Sequence, residues 1–183
     1  SETFNGNLNQ LDNFDGVLVP GGFGTRGSEG IIDTATYTLE KNIPYLGICF
    51  GFQLAAIAFG RKICNLENAN STEIIADTKN PIIDLLPEQK DETDMGGSLR
   101  LGANEIKINQ DSLAYKIYHS DKISKRHRHR YEFNTNYRDE FLKKGMIFSG
   151  ESDNGKRMEI LEIPTHKFFL GVQFHPEFNS RPG

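Results

Sequence analysis

Cys49 stands between two glycines, each two residues away, in Leu46-Gly-Ile-Cys-Phe-Gly-Phe-Gln53. This is the spacing of a nucleophile elbow, a tight strand-to-helix turn in which glycines are needed because the backbone crowds itself around a strained nucleophile. A helix starting beneath the sulfur supplies a positive end that is expected to lower the thiol pKa below its free value of about 8.5. The amide of the next residue, Phe50, then points to where an oxyanion would form. The plain alternative is an inert cysteine in an apolar strand, against which the paired glycines argue. A nucleophilic thiol needs a base, and Gly171-Val-Gln-Phe-His-Pro-Glu-Phe178 places His175 directly after an apolar run. Strand ends of a parallel sheet meet at one edge, so His175 can face Cys49. Glu177, two residues on, can reach back to fix the imidazole, the third-member role of a triad.

A second glycine cluster competes for attention. Gly22, Gly24 and Gly27 in Val19-Pro-Gly-Gly-Phe-Gly-Thr-Arg-Gly27 spell G-x-G-x-x-G after a short apolar strand, the pattern of a dinucleotide-binding turn. That fold carries an acidic residue at the end of its second strand, about 20 residues further on. Cys49 occupies the corresponding place here, so a phosphate cradle is disfavoured.

The elements that must position these residues read as two strand-turn-helix units. The first runs from a strand at residues 16–19 into a helix at 28–40, with Ile31, Ala35 and Leu39 on one face. Lys41-Asn-Ile-Pro44 ends it, because proline cannot continue the ladder. The second is a strand at 44–48 followed by a helix at about 52–61. Apolar strands without polar alternation suit a sheet buried on both faces, and the alternation predicts an α/β three-layer sandwich with a mostly parallel central sheet. Residues 77–97 read as a long irregular excursion of the kind that forms lids. Beyond them short strands are predicted at 99–101, 105–108, 128–133, 146–149, 157–163 and 168–174, with helices at 112–118 and 137–144.

Composition bounds the rest. The chain has 183 residues, 37% hydrophobic and 25% charged, which suits one domain, and its formal charge of −4 speaks against a nucleic-acid or anionic-membrane partner. No run approaches the roughly 18 apolar residues of a spanning helix, which with no signal peptide points to the cytoplasm. Two cysteines, Cys49 and Cys64, do not make a disulfide framework. The sequon Asn70-Ser-Thr72 is expected to be a chance match.

Taken together, Pro20-Gly-Gly-Phe-Gly24, Gly47-Ile-Cys-Phe-Gly-Phe-Gln53 and Phe174-His-Pro-Glu177 resemble the three signature segments of the class I glutamine amidotransferases. Asn70-Ser-Thr-Glu73, Met95-Gly-Gly-Ser-Leu-Arg-Leu-Gly102 and Arg126-His-Arg-His-Arg-Tyr-Glu132 are similar to segments of the glutaminase domains of the CTP synthase family. The resemblance implies a catalytic triad of Cys49, His175 and Glu177 that hydrolyses L-glutamine through a thioester. It also implies an oxyanion hole from the amides of Phe50 and the Gly21-Gly22 pair. Glutamine would be held by Gly22, Phe50, Gly51, Phe52 and Gln53, with Glu73 on its α-ammonium and Arg130 on its carboxylate. Alternation sends Arg126, Arg128 and Arg130 to one face, and a nucleic-acid patch is the lesser reading of them. The chain departs from the family in carrying Phe50 and Phe52 where Leu and Met are usual, which is expected to make the pocket bulkier.

Residues 1–183 would be one partial glutaminase domain, truncated at both ends and exposing apolar sheet surface. The synthetase domain, with its ATP and Mg2+, would be absent from this chain, and this domain itself would hold no cofactor or metal. The resemblance further implies GTP as an allosteric activator, with Phe23 and residues 96–102, Arg100 among them, in a GTP-responsive lid, and assembly as a homotetramer. Two alternatives stand beside it: another triad glutaminase or γ-glutamyl hydrolase of the same fold, and a silent regulatory module. The Arg-His-Arg-His-Arg segment speaks against the first and the intact triad against the second.

Overall fold

The structure is a computed structural model that describes residues 7–85 and 99–180. A 3₁₀ turn at Leu8–Asn13 leads into a short strand, Val17–Val19 (β1), and the glycine-rich turn then delivers the chain to helix α1, Ser28–Lys41. Helix α1 buries Ile32, Ala35 and Thr38 at three-residue spacing, with Ile31 and Leu39 half-buried beside them. Asn42 closes it in the left-handed conformation, φ 55°, two residues before Pro44.

Strand Tyr45–Ile48 (β2) pairs with β1 in parallel, Val19 opposite Gly47, and passes through Cys49 into helix α2, Phe50–Lys62. Every residue of α2 from Phe50 to Gly60 is buried. A helix apolar on all sides belongs inside the domain, and α1 packs along it. Arg61 at its end grips both oxygens of Glu29 on α1 (2.6 and 3.1 Å) and donates to Ala69 O at 2.7 Å.

Two strands invisible in the sequence follow, Asn70–Ser71 (β3) and Pro81–Asp84 (β4). Asn70, the sequon residue, is only 1% exposed, which closes it to glycosyl transfer in the folded chain. Of the predicted excursion at 77–97, residues 86–97 lie outside the described residues, as do 96–98 of the proposed GTP-responsive segment.

The remaining strands are Arg100–Ile108 (β5), Lys122–His129 (β6), Glu132–Phe133 (β7), Ile147–Ser152 (β8), Arg157–Glu162 (β9) and Phe169–Val172 (β10). The large sheet has seven strands in the order β1-β2-β10-β9-β8-β5-β6, and β3-β4-β7 form a small sheet packed against α2. The α/β layering is as predicted, but within the large sheet only β1, β2 and β10 pair in parallel and every other pairing is antiparallel. Between β8 and β9 only residues 153–156 intervene, far too short for the crossover that a parallel pair requires.

Helices cover both faces. On one side α1, α2 and helix Arg138–Lys143 (α4) enclose a core of Ile32, Tyr45, Phe52, Phe59, Phe133, Phe141 and Phe169. On the other, helix Leu113–Tyr118 (α3) lies near Ile48, Ile106, Ile160, Val172 and Phe174. The buried Glu162 carboxylate fastens α3, accepting from the N–H of Leu113 (2.9 Å) and Ala114 (2.8 Å). Beside β1, Leu18 is 58% exposed, and a groove of about 540 Å³ lined by Leu8, Leu11, Leu18 and Ile31 runs along that strand, an apolar surface among the described residues.

Candidate active site

Strands β2 and β10 run in parallel with Ile48 opposite Val172, so both open at one edge of the sheet. Cys49 follows β2 by one residue and donates its N–H to Val172 O at 2.7 Å, while His175 follows β10 by three. The register of these two strands therefore brings thiol and imidazole to the same edge.

Cys49 adopts φ 52° and ψ −99°, a conformation that costs an L-residue on the order of 1 to 3 kcal/mol. Its glycines are sterically required. A Cβ at Gly47 would stand 2.6 Å from the carbonyl of Gly51, and one at Gly51 would fall on Val19 O. The elbow predicted from the spacing is thus present, and α2 starts at Phe50, two residues earlier than the periodicity suggested.

The expected depression of the thiol pKa is not found. Burial pushes Cys49 up to about 12; the Phe50 N–H opposes the rise, and the Glu177 and Glu73 carboxylates add to it. The helix end is real, but a thiolate that is 97% shielded from water, with two carboxylates nearby, loses more than that partial charge returns. At neutral pH the sulfur is a thiol, so any attack by it requires the proton to leave at the same time.

His175 is placed to receive it. Its Nδ1 lies 2.7 Å from Glu177 Oε1, and because a carboxylate accepts, Nδ1 carries the proton. The other nitrogen, Nε2, is buried and has no hydrogen-bond partner among the described residues, the state of a waiting base. Two further contacts hold the ring. The His175 N–H donates to Arg126 O at 2.9 Å, and Phe178 stacks on the imidazole at 4.6 Å with an 8° tilt. Neither was legible in the sequence, although Phe178 lies one residue beyond the motif.

The glycine-rich turn closes the other side. A Cβ at Gly21 would meet His175 Cε1 at 2.8 Å and Cys49 Cβ at 3.8 Å, and one at Gly22 would meet the Phe50 ring at 3.2 Å. Side chains are excluded there because the loop backbone lies against both Cys49 and His175. Gly24, in the left-handed region at φ 80°, donates its N–H to Glu73 Oε1 at 2.9 Å. An amide already given to a carboxylate is not a phosphate donor, which removes the dinucleotide reading.

Glu73 is half-buried, with its charge near enough to raise both Cys49 and Tyr131. Arg130, just past the end of β6, is half-buried too and acts electrostatically on the same Tyr131 ring. The two residues assigned to opposite ends of an amino acid are thus neighbours of one tyrosine. Arg126 and Arg128 are exposed, as the alternation predicted, and between them His127 and His129 turn inward. Phe52 and Gln53 differ from expectation in their side chains. The Phe52 ring is wholly buried against Gly171, and the Gln53 amide is committed to Tyr131 O (2.8 Å) and Gln173 Oε1 (3.3 Å). They offer the site main chain only, so of the two unusual phenylalanines Phe50 alone borders the loop. Phe23, at 86% exposed, projects from the turn into solvent.

Among the described residues no group of three or more His, Cys, Asp or Glu is placed to hold a metal ion, and no helix is long and apolar enough to cross a membrane. The profile of the family Glutamine amidotransferase class-I matches residues 1–183. The CTP synthase of Archaeoglobus fulgidus is 53% identical over 179 residues, 96% of this chain and 34% of that protein. That of Halalkalibacterium halodurans is 56% identical over 173 residues, 94% of this chain and 32% of that protein. The chain therefore spans about a third of the length of these relatives. Among solved structures it is similar to the Trypanosoma brucei CTPS glutaminase domain with bound acivicin, with a TM-score of 0.89 and 38% identity over 96% of this chain and 68% of that one. With its elbow, its His175–Glu177 pair and these relatives, the chain belongs to the class I glutamine amidotransferases, and within them to the glutaminase domains of CTP synthases.

Proposed function

We propose that this chain hydrolyses L-glutamine to glutamate and ammonia, with Cys49 as nucleophile, His175 as general base and acid, and Glu177 as the residue that orients the imidazole. The observation that carries the reading is the strained Cys49 elbow on the same sheet edge as the His175–Glu177 hydrogen bond. The acivicin of the Trypanosoma brucei neighbour, a glutamine analogue, supports the substrate assignment.

Glutamine enters with its carboxamide carbon at Sγ. As sulfur attacks, the thiol proton passes to His175 Nε2, so the enzyme never stores a thiolate in a site that disfavours one. Negative charge collects on the amide oxygen, which accepts from the Phe50 N–H and from the Gly21-Gly22 backbone; each such donor is worth on the order of 3 to 4 kcal/mol in the transition state. The C–N bond then breaks, His175 returns its proton to nitrogen, and ammonia leaves a γ-glutamyl thioester. Water, deprotonated by the same Nε2, attacks the thioester and releases glutamate and the thiol. Glu73 holds the α-ammonium and Arg130 the α-carboxylate, for which a planar guanidinium fork is suited. Gly22, Gly51, Phe52 and Gln53 contribute main-chain contacts.

In the whole protein, ammonia would pass through a tunnel to a synthetase domain, where UTP, activated at its 4-oxygen by ATP, is aminated to CTP. We place ATP and Mg2+ in that domain. GTP would act as activator through Phe23 and the segment 96–102, in a cytoplasmic homotetramer. The test is Cys49→Ala in the full-length protein. Glutamine-dependent CTP formation should vanish while formation from added ammonia persists, and loss of both together would overturn the assignment.

A further inference from the structure

Strand β6 is the last in the seven-strand order, so the large-sheet ladder holds it on one side only, through β5. Yet its backbone faces the chemistry. Arg126 O accepts the His175 N–H at 2.9 Å, and Arg128 O stands 4.0 Å from Cys49 Sγ. An edge strand in this position needs an anchor on its inner face, and from Ser124 to Arg130 the sequence Ser-Lys-Arg-His-Arg-His-Arg offers no apolar side chain to provide one. What it buries instead are His127 and His129, 2% and 5% exposed.

Their hydrogen bonds fix a direction. Tyr131 O, a carbonyl, can only accept, so His129 Nδ1 at 3.2 Å donates. Burial, with Arg100 of β5 alongside, keeps both imidazoles uncharged: His127 is held down at about 3 and His129 well below its ordinary range. A neutral His129 protonated on Nδ1 has a bare Nε2, which must accept from His127 Nδ1 at 3.0 Å. His127 in turn is left with a bare Nε2. It faces Glu159 Oε2 at 3.8 Å with no hydrogen bond between them, as two acceptors require. Glu159 is held from the other side by Arg100 (2.7 Å) and by Ser152 Oγ.

We propose that His127 and His129 are positioning residues: two neutral imidazoles, both protonated on Nδ1, form a one-way relay to Tyr131 O that fixes β6, and so holds Arg126 O and Arg128 O against the His175–Cys49 pair. The relay also ends on Tyr131, whose carbonyl takes the Gln53 amide from α2, so the same bonds join β6 to the helix that carries the nucleophile. Moving the proton from Nδ1 to Nε2 on either ring alone would face two donors or two acceptors at 3.0 Å, and the arrangement is therefore specific.

The inference rests on the glutaminase reading, and its test is made in the full-length protein with Cys49→Ala as the reference for that reading. His127→Asn keeps an N–H at the Nδ1 position and should hold kcat within about threefold of wild type, whereas His127→Leu should lower kcat by about tenfold or more with KM for glutamine little changed, the pattern of misplaced catalytic groups. Equal kcat in the two variants, high or low, overturns the relay. A second readout needs no variant: the 15N signals of His127 and His129 should be those of neutral Nδ1–H tautomers at neutral pH. A charged ring or an Nε2–H tautomer at either position overturns it as well. Retained glutaminase activity in Cys49→Ala would instead sink the underlying reading.

Discussion

The main-chain N–H of Gly24 donates to the Glu73 carboxylate at 2.9 Å, joining the glycine-rich turn to the turn that follows β3. The bond decides what the glycines are for. A phosphate bound at this loop would meet a carboxylate, whereas a substrate ammonium would find that same carboxylate already oriented. Glu73 is itself steadied, since its N–H donates to Ser71 Oγ at 3.1 Å. One acid thus sets the loop beside Cys49 and, on the proposed reading, presents charge to the substrate.

Two variants separate these tasks. Glu73→Gln keeps an acceptor for Gly24 and loses the charge, so KM for glutamine should rise about tenfold or more with the melting temperature near wild type. Glu73→Ala loses both and should add a destabilisation of about 1 kcal/mol. Steady-state kinetics with thermal melts distinguishes them, and an unchanged KM in both would remove Glu73 from the substrate.

The raised thiol pKa has a kinetic and a thermodynamic consequence. Alkylation of Cys49 by iodoacetamide in the absence of glutamine should keep rising tenfold per pH unit from about pH 7 to about pH 10, because titration lies near 12. A plateau near neutrality would contradict the burial argument. Folding raises this pKa, so the folded state binds the proton more tightly. Its stabilisation is complete below about pH 8.5 and is lost as pH climbs toward 12, a loss that Cys49→Ala should lessen in denaturant titrations at alkaline pH.

Steric need differs sharply among the glycines. Gly47→Ala and Gly51→Ala push a Cβ into backbone and should cost on the order of 3 kcal/mol or more, or prevent folding. Gly30 sits in α1 with nothing within 4 Å of a built Cβ, so Gly30→Ala should stabilise by up to about 1 kcal/mol. Chemical denaturation measures both, and a neutral Gly51→Ala would refute the close packing of the elbow on β1.

Phe178 covers one face of the His175 ring and is half-exposed itself, so its removal should leave the fold intact. Phe178→Leu should lower kcat about fivefold, equivalent to roughly 1 kcal/mol of ring stacking, and Phe178→Tyr should restore it. Loss in both would point to a demand for Phe itself rather than for an aromatic face.

Much of the site was legible because its elements follow simple rules. The short apolar runs at β1, β2 and β10 end in Gly, Cys and His segments whose spacing marks the strand ends, and Cys49, His175 and Glu177 could be placed from it. The antiparallel half was less legible. Strand β6 reads Lys-Ile-Ser-Lys-Arg-His-Arg-His, in which the buried positions near the site are imidazoles rather than apolar side chains, so hydrophobic alternation does not report it. The predicted strand at 128–133 is therefore two strands in different sheets, broken at Arg130 and Tyr131. Strand β3 buries Asn70 and Ser71 and is equally silent. The thiol pKa was misjudged because a helix N-terminus is visible in sequence, while burial and the approach of Glu73 are tertiary.

The account stands or falls on Cys49 as the nucleophile for glutamine. Treating the full-length protein with acivicin and mapping the adduct by peptide mass spectrometry tests this directly. The account predicts one adduct, on the peptide containing Cys49, formed in step with loss of glutaminase activity and suppressed by excess glutamine. Glutaminase inactivation with the adduct on Cys64 or any other residue, and Cys49 unmodified, would contradict it.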